Sequence, residues 1–298
     1  MNKKAAPDNS RKLDQFYTDP AYAQQFLNEI KQTIDLNKFD HVLEPSAGTG
    51  SFYNLLDKKK RIGLDLDPKA PGIIKTDFFE WMPPVAKRIV TIGNPPFGKN
   101  AGLAVKFFNR AAEFSDVIAF VIPRTFRKTS IINRLDLNFH CVYDQTVPDD
   151  SFIFNGSAYN VPCAGQIWIR KDQPRKKITT LKLEQICNWF ELVEPDKSDF
   201  AIQRVGGRAG LIRISDRMNF SAESHYFIKA HDTRVLPVFQ KVNFDTVKFN
   251  TAGNPSVSPS ELVELWIAQA TAQGIPVVLN DIKSKNKKSL SSHFFESV

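Results

Sequence analysis

Between residues 16 and 170, short apolar runs alternate with helical stretches, and this alternation narrows the fold more than any other feature of the chain. "DHVLEPSAGTGSFYNLL" reads as strand, glycine turn and helix. "RIGLDLDP", "GIIKTDFF" and "RIVTIGNPPF" supply second, third and fourth strands; "AGLAVKFFNRAAEF" is a helix and "DVIAFVIP" a fifth strand. Ahead of them, "TDPAYAQQFLNEIKQTI" predicts a helix capped at Thr18 or Asp19, with Pro20 in its first turn and Ala23, Phe26, Leu27 and Ile30 on one face. Strands and helices taking turns predict an α/β fold, a mostly parallel sheet with helices on both faces. A late hairpin of "CVYDQTV" and "CAGQIWIRK" would close it antiparallel.

Past "RKDQPRKK" the segments become irregular and strand-leaning, as in "DFAIQRVGGRAGLIRIS" and "SHYFIKAH". One helix stands out, opened by Ser258, Pro259 and Glu261 as a capping box, continued by Leu262, Leu265, Trp266 and Gln269, and ended at Gly274 and Pro276. We therefore expect a first domain over 14–170 and a smaller strand-rich unit over 171–298, assigned to substrate recognition by elimination. The chain's 298 residues suffice for two such cores. Cys141, Cys163 and Cys187 are an odd number without CxxC spacing, which points to a reducing, cytoplasmic setting and no metal. The polar start "MNKKAAPDNSRKLDQ" lacks an apolar signal core, and "VIAFVIP" is too short to span a bilayer, so no membrane role is expected. A net charge of +8 suits a polyanionic partner. Basic clusters at 58–61, 124–128, 170–177 and 283–288 line one face or are simply solvated.

Chemistry concentrates at strand ends. In "TIGNPPFGKN", Pro95 and Pro96 cannot join a sheet ladder, so the strand stops at about Asn94 and a stiff loop follows. There the Asn94 side chain, the Pro95 carbonyl and the Phe97 ring suit a flat molecule bearing an amino group. "LEPSAGTG" places Gly48 and Gly50 where a backbone approaches a nucleotide-like ligand, although such turns also serve plain packing. Asp65 closes the next strand as a ribose acceptor or a turn acid. Asp77 and Phe78 follow the third as an adenine contact or as cap and core. Their order, each at the carboxyl end of a presumed parallel strand, is what gives them joint meaning.

"QFYTDPAYA", "VLEPSAGTGSF", "GLDLDP", "TDFF" and "IGNPPFG" resemble, in this order, the motifs of S-adenosylmethionine-dependent amino-methyltransferases of the gamma class of DNA adenine-N6 enzymes. The resemblance covers about residues 14–170 and implies a Rossmann-like methyltransferase fold with S-adenosylmethionine as cofactor. It implies that Tyr17 and Thr18 sit near the methionine moiety, with Glu44, Ser46, Gly48 and Gly50 looped around the same end. Asp65 would bind the ribose, and Asp77 and Phe78 the cofactor adenine. Asn94, Pro95, Pro96 and Phe97 would form the catalytic loop. "SFIFNGSAYNVP" lies where the family often places an aromatic that grips the target base, making Phe152 or Phe154 a candidate, although with 24 phenylalanines in the chain either also suits the core.

Two acceptors on an amino group would favour a pyramidal nitrogen whose lone pair faces the methyl donor, with Phe97 stacked on the base. A base in a duplex must first leave the stack. Arg124, Arg127 and Lys128 would then touch phosphates, and "QRVGGRAG" at 203–210 would face the substrate. DNA is the leading substrate, ahead of RNA. Cytosine-N4 transfer, glutamine methylation in a protein and an inactive nucleic-acid-binding module are the remaining readings.

Overall fold

The structure, a computed structural model, describes residues 16–85 and 87–281. The polar start, the opening of the first domain at residue 14 and the basic stretch at 283–288 lie outside them. Among the described residues two compact units emerge: those from 16 to 179 with Phe249–Pro255, and Thr180–Lys248 with those from 256 to 281. The first unit thus extends past residue 170, because the segment after it stays tied to the first core. Arg175 donates to the carbonyls of Phe139, Ile132 and Leu135, and Ile178 N–H donates to Asn133 Oδ1.

The first unit runs β1 (Tyr17–Thr18), α1 (Pro20–Thr33), β2 (His41–Glu44), β3 (Arg61–Asp65), β4 (Ile74–Lys75), β5 (Ile89–Gly93), α2 (Gly102–Ala112), β6 (Val117–Pro123), α3 (Thr129–Ile132), β7 (Phe139–Thr146), β8 (Phe152–Phe154), β9 (Ser157–Tyr159) and β10 (Cys163–Arg170). Seven strands form one sheet in the order β4-β3-β2-β5-β6-β10-β7. The five from β4 to β6 are parallel, and β10 inserts antiparallel between β6 and β7. Every residue of β5 and β6 is buried, as suits central parallel strands covered on both faces. On one face Tyr22 and Phe26 of α1 press against Gly165, where a β-carbon would stand 2.9 Å from the Phe26 ring and from the Tyr22 hydroxyl. On the other, Phe108 of α2 meets Phe139 and Trp168 edge-on.

Asp19 caps α1, its Oδ1 accepting from the Ala21 and Tyr22 N–H groups. The helix expected after the glycine turn does not form. The loop and a turn built on Asp57, which accepts from Lys59 and Lys60, leave only residues 52–56 between β2 and β3. These make a single 3-10 turn over Tyr53–Leu55, since an average α-helix of about eleven residues has no room there. The expected third strand likewise shrinks to the two residues of β4.

The second unit adds β11 (Phe190–Leu192), β12 (Phe200–Gln203), β13 (Ile212–Arg213), β14 (His225–Ala230), α4 (Val235–Phe239), α5 (Asp245–Lys248) and α6 (Pro259–Ala272). Its sheet, β11-β14-β12-β13, is antiparallel throughout. Ser258 and Glu261 form the predicted capping box of α6. Trp266 is fully buried against Trp189, Phe190 and Phe239, and its indole N–H donates to the Val235 carbonyl. Among the described residues no helix is long and apolar enough to cross a membrane.

Candidate active site

The strand order of the first unit reverses at β2, which has β3 on one side and β5 on the other. Open sheets of this kind bind ligands outside the carboxyl ends at such a switch point. The residues leaving β2 and β5 there are Pro45–Ser51 and the Asn94–Phe97 loop. A hydrogen bond joins the two loops: Ser46 Oγ donates to the Asn94 carbonyl at 3.1 Å.

The glycine loop is fastened from below and beside. Glu44 is 3 % exposed, and its Oε2 accepts from Tyr53 N–H at 2.7 Å. Burial pushes its carboxyl well above the ordinary range and the nearby Asp65 charge adds to this, against the pull of the Tyr53 N–H. Gly48 has a φ of +47°, and a β-carbon there would lie 2.9 Å from Tyr17 Cε1, so the Tyr17 ring rests directly on bare backbone. Gly48 N–H donates to Asp65 Oδ2 at 2.7 Å, and Asp67 N–H donates to Asp65 Oδ1 at 2.8 Å. Asp65 thus ties its strand end to the loop. A carboxylate accepts about four hydrogen bonds, so each oxygen retains a lone pair.

Asn94 is the centre of the second loop. Its Nδ2 donates to the Phe16 carbonyl at 2.9 Å, which fixes which end of the amide is nitrogen. Its Oδ1 is buried and has no hydrogen-bond partner. Leaving a buried acceptor unmade costs about 1–3 kcal/mol, a cost that a donor entering the site would remove. Thr18 Oγ1 and Thr125 Oγ1 are in the same condition. Phe97, 9 % exposed, holds the loop to the start of α2, its carbonyl accepting from Leu103 and Ala104 N–H. Pro95 is buried and Pro96 half-buried.

A three-stranded sheet, β1-β8-β9, stands beside this loop. β8 and β9 are joined at Asn155 and Gly156, with φ of +49° and +75°, as in a primed hairpin turn. Sequence reading misses this hairpin, although the Asn-Gly pair is the signal that finds it. The rings of Phe16, Phe154 and Tyr159 pack together here, Phe16 stacked on Tyr159 at 5.3 Å and 7°. Tyr159 is 44 % exposed and is a further candidate that motif reading does not reach.

The other predicted residues have contacts of their own. Asp77 Oδ1 accepts from Phe79 N–H in a local turn. Phe78 is 2 % exposed and packs on Phe107 and Phe114, whereas its neighbour Phe79 is 39 % exposed. Phe152 is core, at 1 % exposure. Arg127 forks onto Asp144, donating from Nε and Nη2, and also donates to Thr146 Oγ1. Gln166 supports Asp144 and in turn accepts from the Trp168 indole N–H. Arg127 therefore pins the turn after β6 to the sheet. Arg124 reaches the Cys163 carbonyl through Nε, and Lys128 is half-buried at the end of that turn. In the second unit, Gly210 of the glycine-rich loop packs under Phe244, where a β-carbon would stand 2.5 Å from that side chain. A hollow of about 590 Å³ in the first unit, lined by Ile34, Leu36, Leu55 and Lys60, sits at the amino end of β2 and includes none of the residues grouped at the two loops.

No protein-family model and no curated protein matches the chain. Among solved structures it is similar to a candidate RNA methyltransferase of Pyrococcus horikoshii, at 19% identity and a TM-score of 0.44, covering 56% of this chain and 92% of that one. A candidate class I S-adenosylmethionine-dependent methyltransferase of Listeria monocytogenes gives 14% identity and 0.41, covering 56% and 65%. The 23S rRNA methyltransferase ErmE gives 17% and 0.39, covering 55% and 73%.

Proposed function

We propose that the first unit transfers a methyl group from S-adenosylmethionine to the exocyclic N6 amino group of adenine in DNA. One observation carries this reading: a buried amide oxygen, Asn94 Oδ1, without a partner, on a proline-stiffened loop at the sheet's switch point. An exocyclic amino group brings the donor that this oxygen lacks. The Pro95 carbonyl, next in the chain, is the second acceptor.

The residues around the glycine loop suit the cofactor. Gly48 leaves bare backbone under the Tyr17 ring, and Asp65 has lone pairs left for ribose hydroxyls. Tyr17, Thr18, Ser46, Gly48 and Gly50 would hold the methionine end, with Glu44 bracing the loop from beneath. Asp77 would meet the adenine. The flat contact there falls to the exposed Phe79, with Phe78 supporting it through the shared Phe107 contact. When bound, S-adenosylmethionine supplies an electrophilic methyl group.

The chain's own part is orientation and charge. Asn94 and Pro95 take both amino hydrogens, directing the nitrogen lone pair away from the ring, and Phe97 fixes the plane of the base. Both acceptors stabilise the positive charge that develops on nitrogen, and they cost little reorganisation because the loop is already held. Arg124 and Lys128 are the proposed phosphate contacts, while Arg127 positions their turn.

The test is transfer of labelled methyl to matched DNA and RNA, followed by nucleoside mass analysis. N6-methyladenine in DNA supports the proposal. Label confined to RNA replaces the substrate, and label in cytosine replaces the acceptor.

A further inference from the structure

An asparagine amide rotates about a broad, nearly two-fold torsion, so nothing intrinsic to Asn94 decides whether oxygen or nitrogen faces the site. Turned over, it would present a donor to an amino group that is itself a donor, and the proposed contact would be lost. The structure contains one hydrogen bond that selects the productive orientation, from Asn94 Nδ2 to the Phe16 carbonyl at 2.9 Å. These residues stand 78 positions apart, so the bond depends on where the fold brings Phe16.

Several contacts place that carbonyl. The Phe16 ring stacks on Tyr159 at 5.3 Å and lies 5.6 Å from Phe154, both on the β8–β9 hairpin. Immediately after Phe16, Tyr17 pairs with Ile153 and Thr18 with Phe152, and Asp19 N–H donates to the Ser151 carbonyl at 2.9 Å. Ser51 of the glycine loop donates to the Thr18 carbonyl at 2.6 Å. The ring anchors one side of the Phe16 carbonyl and the short ladder anchors the other.

We infer that Phe16 is a positioning residue, whose ring, held by the β8–β9 hairpin, fixes its own carbonyl so that the Asn94 amide keeps its oxygen toward the substrate. The kinetic part of this inference rests on the proposed transfer at Asn94; the orientation of the amide does not. Substrate contact is left to Asn94 and the loop.

The test compares full-length native protein with Phe16→Ala and Phe16→Tyr. In ¹⁵N-edited spectra, the Asn94 side-chain amide is assigned by its loss in Asn94→Ala, and its exchange with water is measured. The native protein and Phe16→Tyr should each show one slowly exchanging Nδ2 proton, and Phe16→Ala should lose that protection. The kcat for methyl transfer should fall by roughly ten- to a hundredfold in Phe16→Ala, with KM for S-adenosylmethionine within about twofold of native and kcat restored in Phe16→Tyr. Unchanged protection in Phe16→Ala overturns the inference, and so does lost protection with native kcat. If Phe16→Ala does not fold, Tyr159→Leu removes the stack from the opposite side and is read by amide exchange alone, with loss of protection expected and native protection contradicting the inference. If native protein methylates no nucleic acid, the functional reading fails while amide exchange still decides the orientation.

Discussion

Gly48 combines a positive φ with a neighbour in the way of any side chain, the Tyr17 ring. Gly48→Ala should therefore cost about 1 kcal/mol from the backbone alone and displace Tyr17 as well. The expected result is a roughly tenfold weaker dissociation constant for S-adenosylmethionine by calorimetry, and native affinity would contradict this placement. Glu44 gives a second prediction. Its folded carboxyl keeps a proton to higher pH than the unfolded chain does, so the folded state binds more protons between the ordinary carboxylate range and the raised value. Its contribution to stability should therefore decline as pH rises through that window. Glu44→Gln keeps an acceptor for Tyr53 N–H, and its melting temperatures between about pH 5 and pH 8 should decline less than native ones; parallel curves would contradict the assignment. Residues set by local chemistry were the most legible in sequence: two prolines end a strand and a glycine marks a close approach. Phe78 and Phe79 were not separable, since only the direction of a turn sends one ring inward and leaves the other partly exposed. Nor could Arg127 be read, because its partner Asp144 is brought to it by the β7–β10 pairing.

Elements followed the same division. The capping box of α6 is written in four consecutive residues, Ser258 to Glu261, and forms as predicted. Ser258→Ala should cost the second unit about 1 kcal/mol in urea unfolding and Ser258→Thr much less, whereas equal loss in both would point to packing rather than capping. The central strands β5 and β6 were legible because largely apolar runs between turn signals have few alternatives, whereas β4 was over-read. The helix after the glycine turn was over-read, since the pattern suggests it but the chain left between two turns is too short. The β8–β9 hairpin was under-read. Its Asn-Gly turn is local and plain, yet its significance, a pair of aromatic residues closing on Phe16, exists only once β1 is paired with β8.

For the whole molecule, parallel topology brings the ends of β2 and β5 together, and a small antiparallel sheet sets the N-terminal strand beside them. The second unit has its own sheet and its own tryptophan-centred core. In the proposed transfer, the first unit's chemistry depends on one amide oxygen, Asn94 Oδ1. The most direct measurement is kcat for methyl transfer by native protein and Asn94→Ala under saturating S-adenosylmethionine, with cofactor affinity determined in parallel. A loss of at least about a hundredfold in kcat is expected, with cofactor affinity within about threefold of native. Near-native turnover in Asn94→Ala would contradict it.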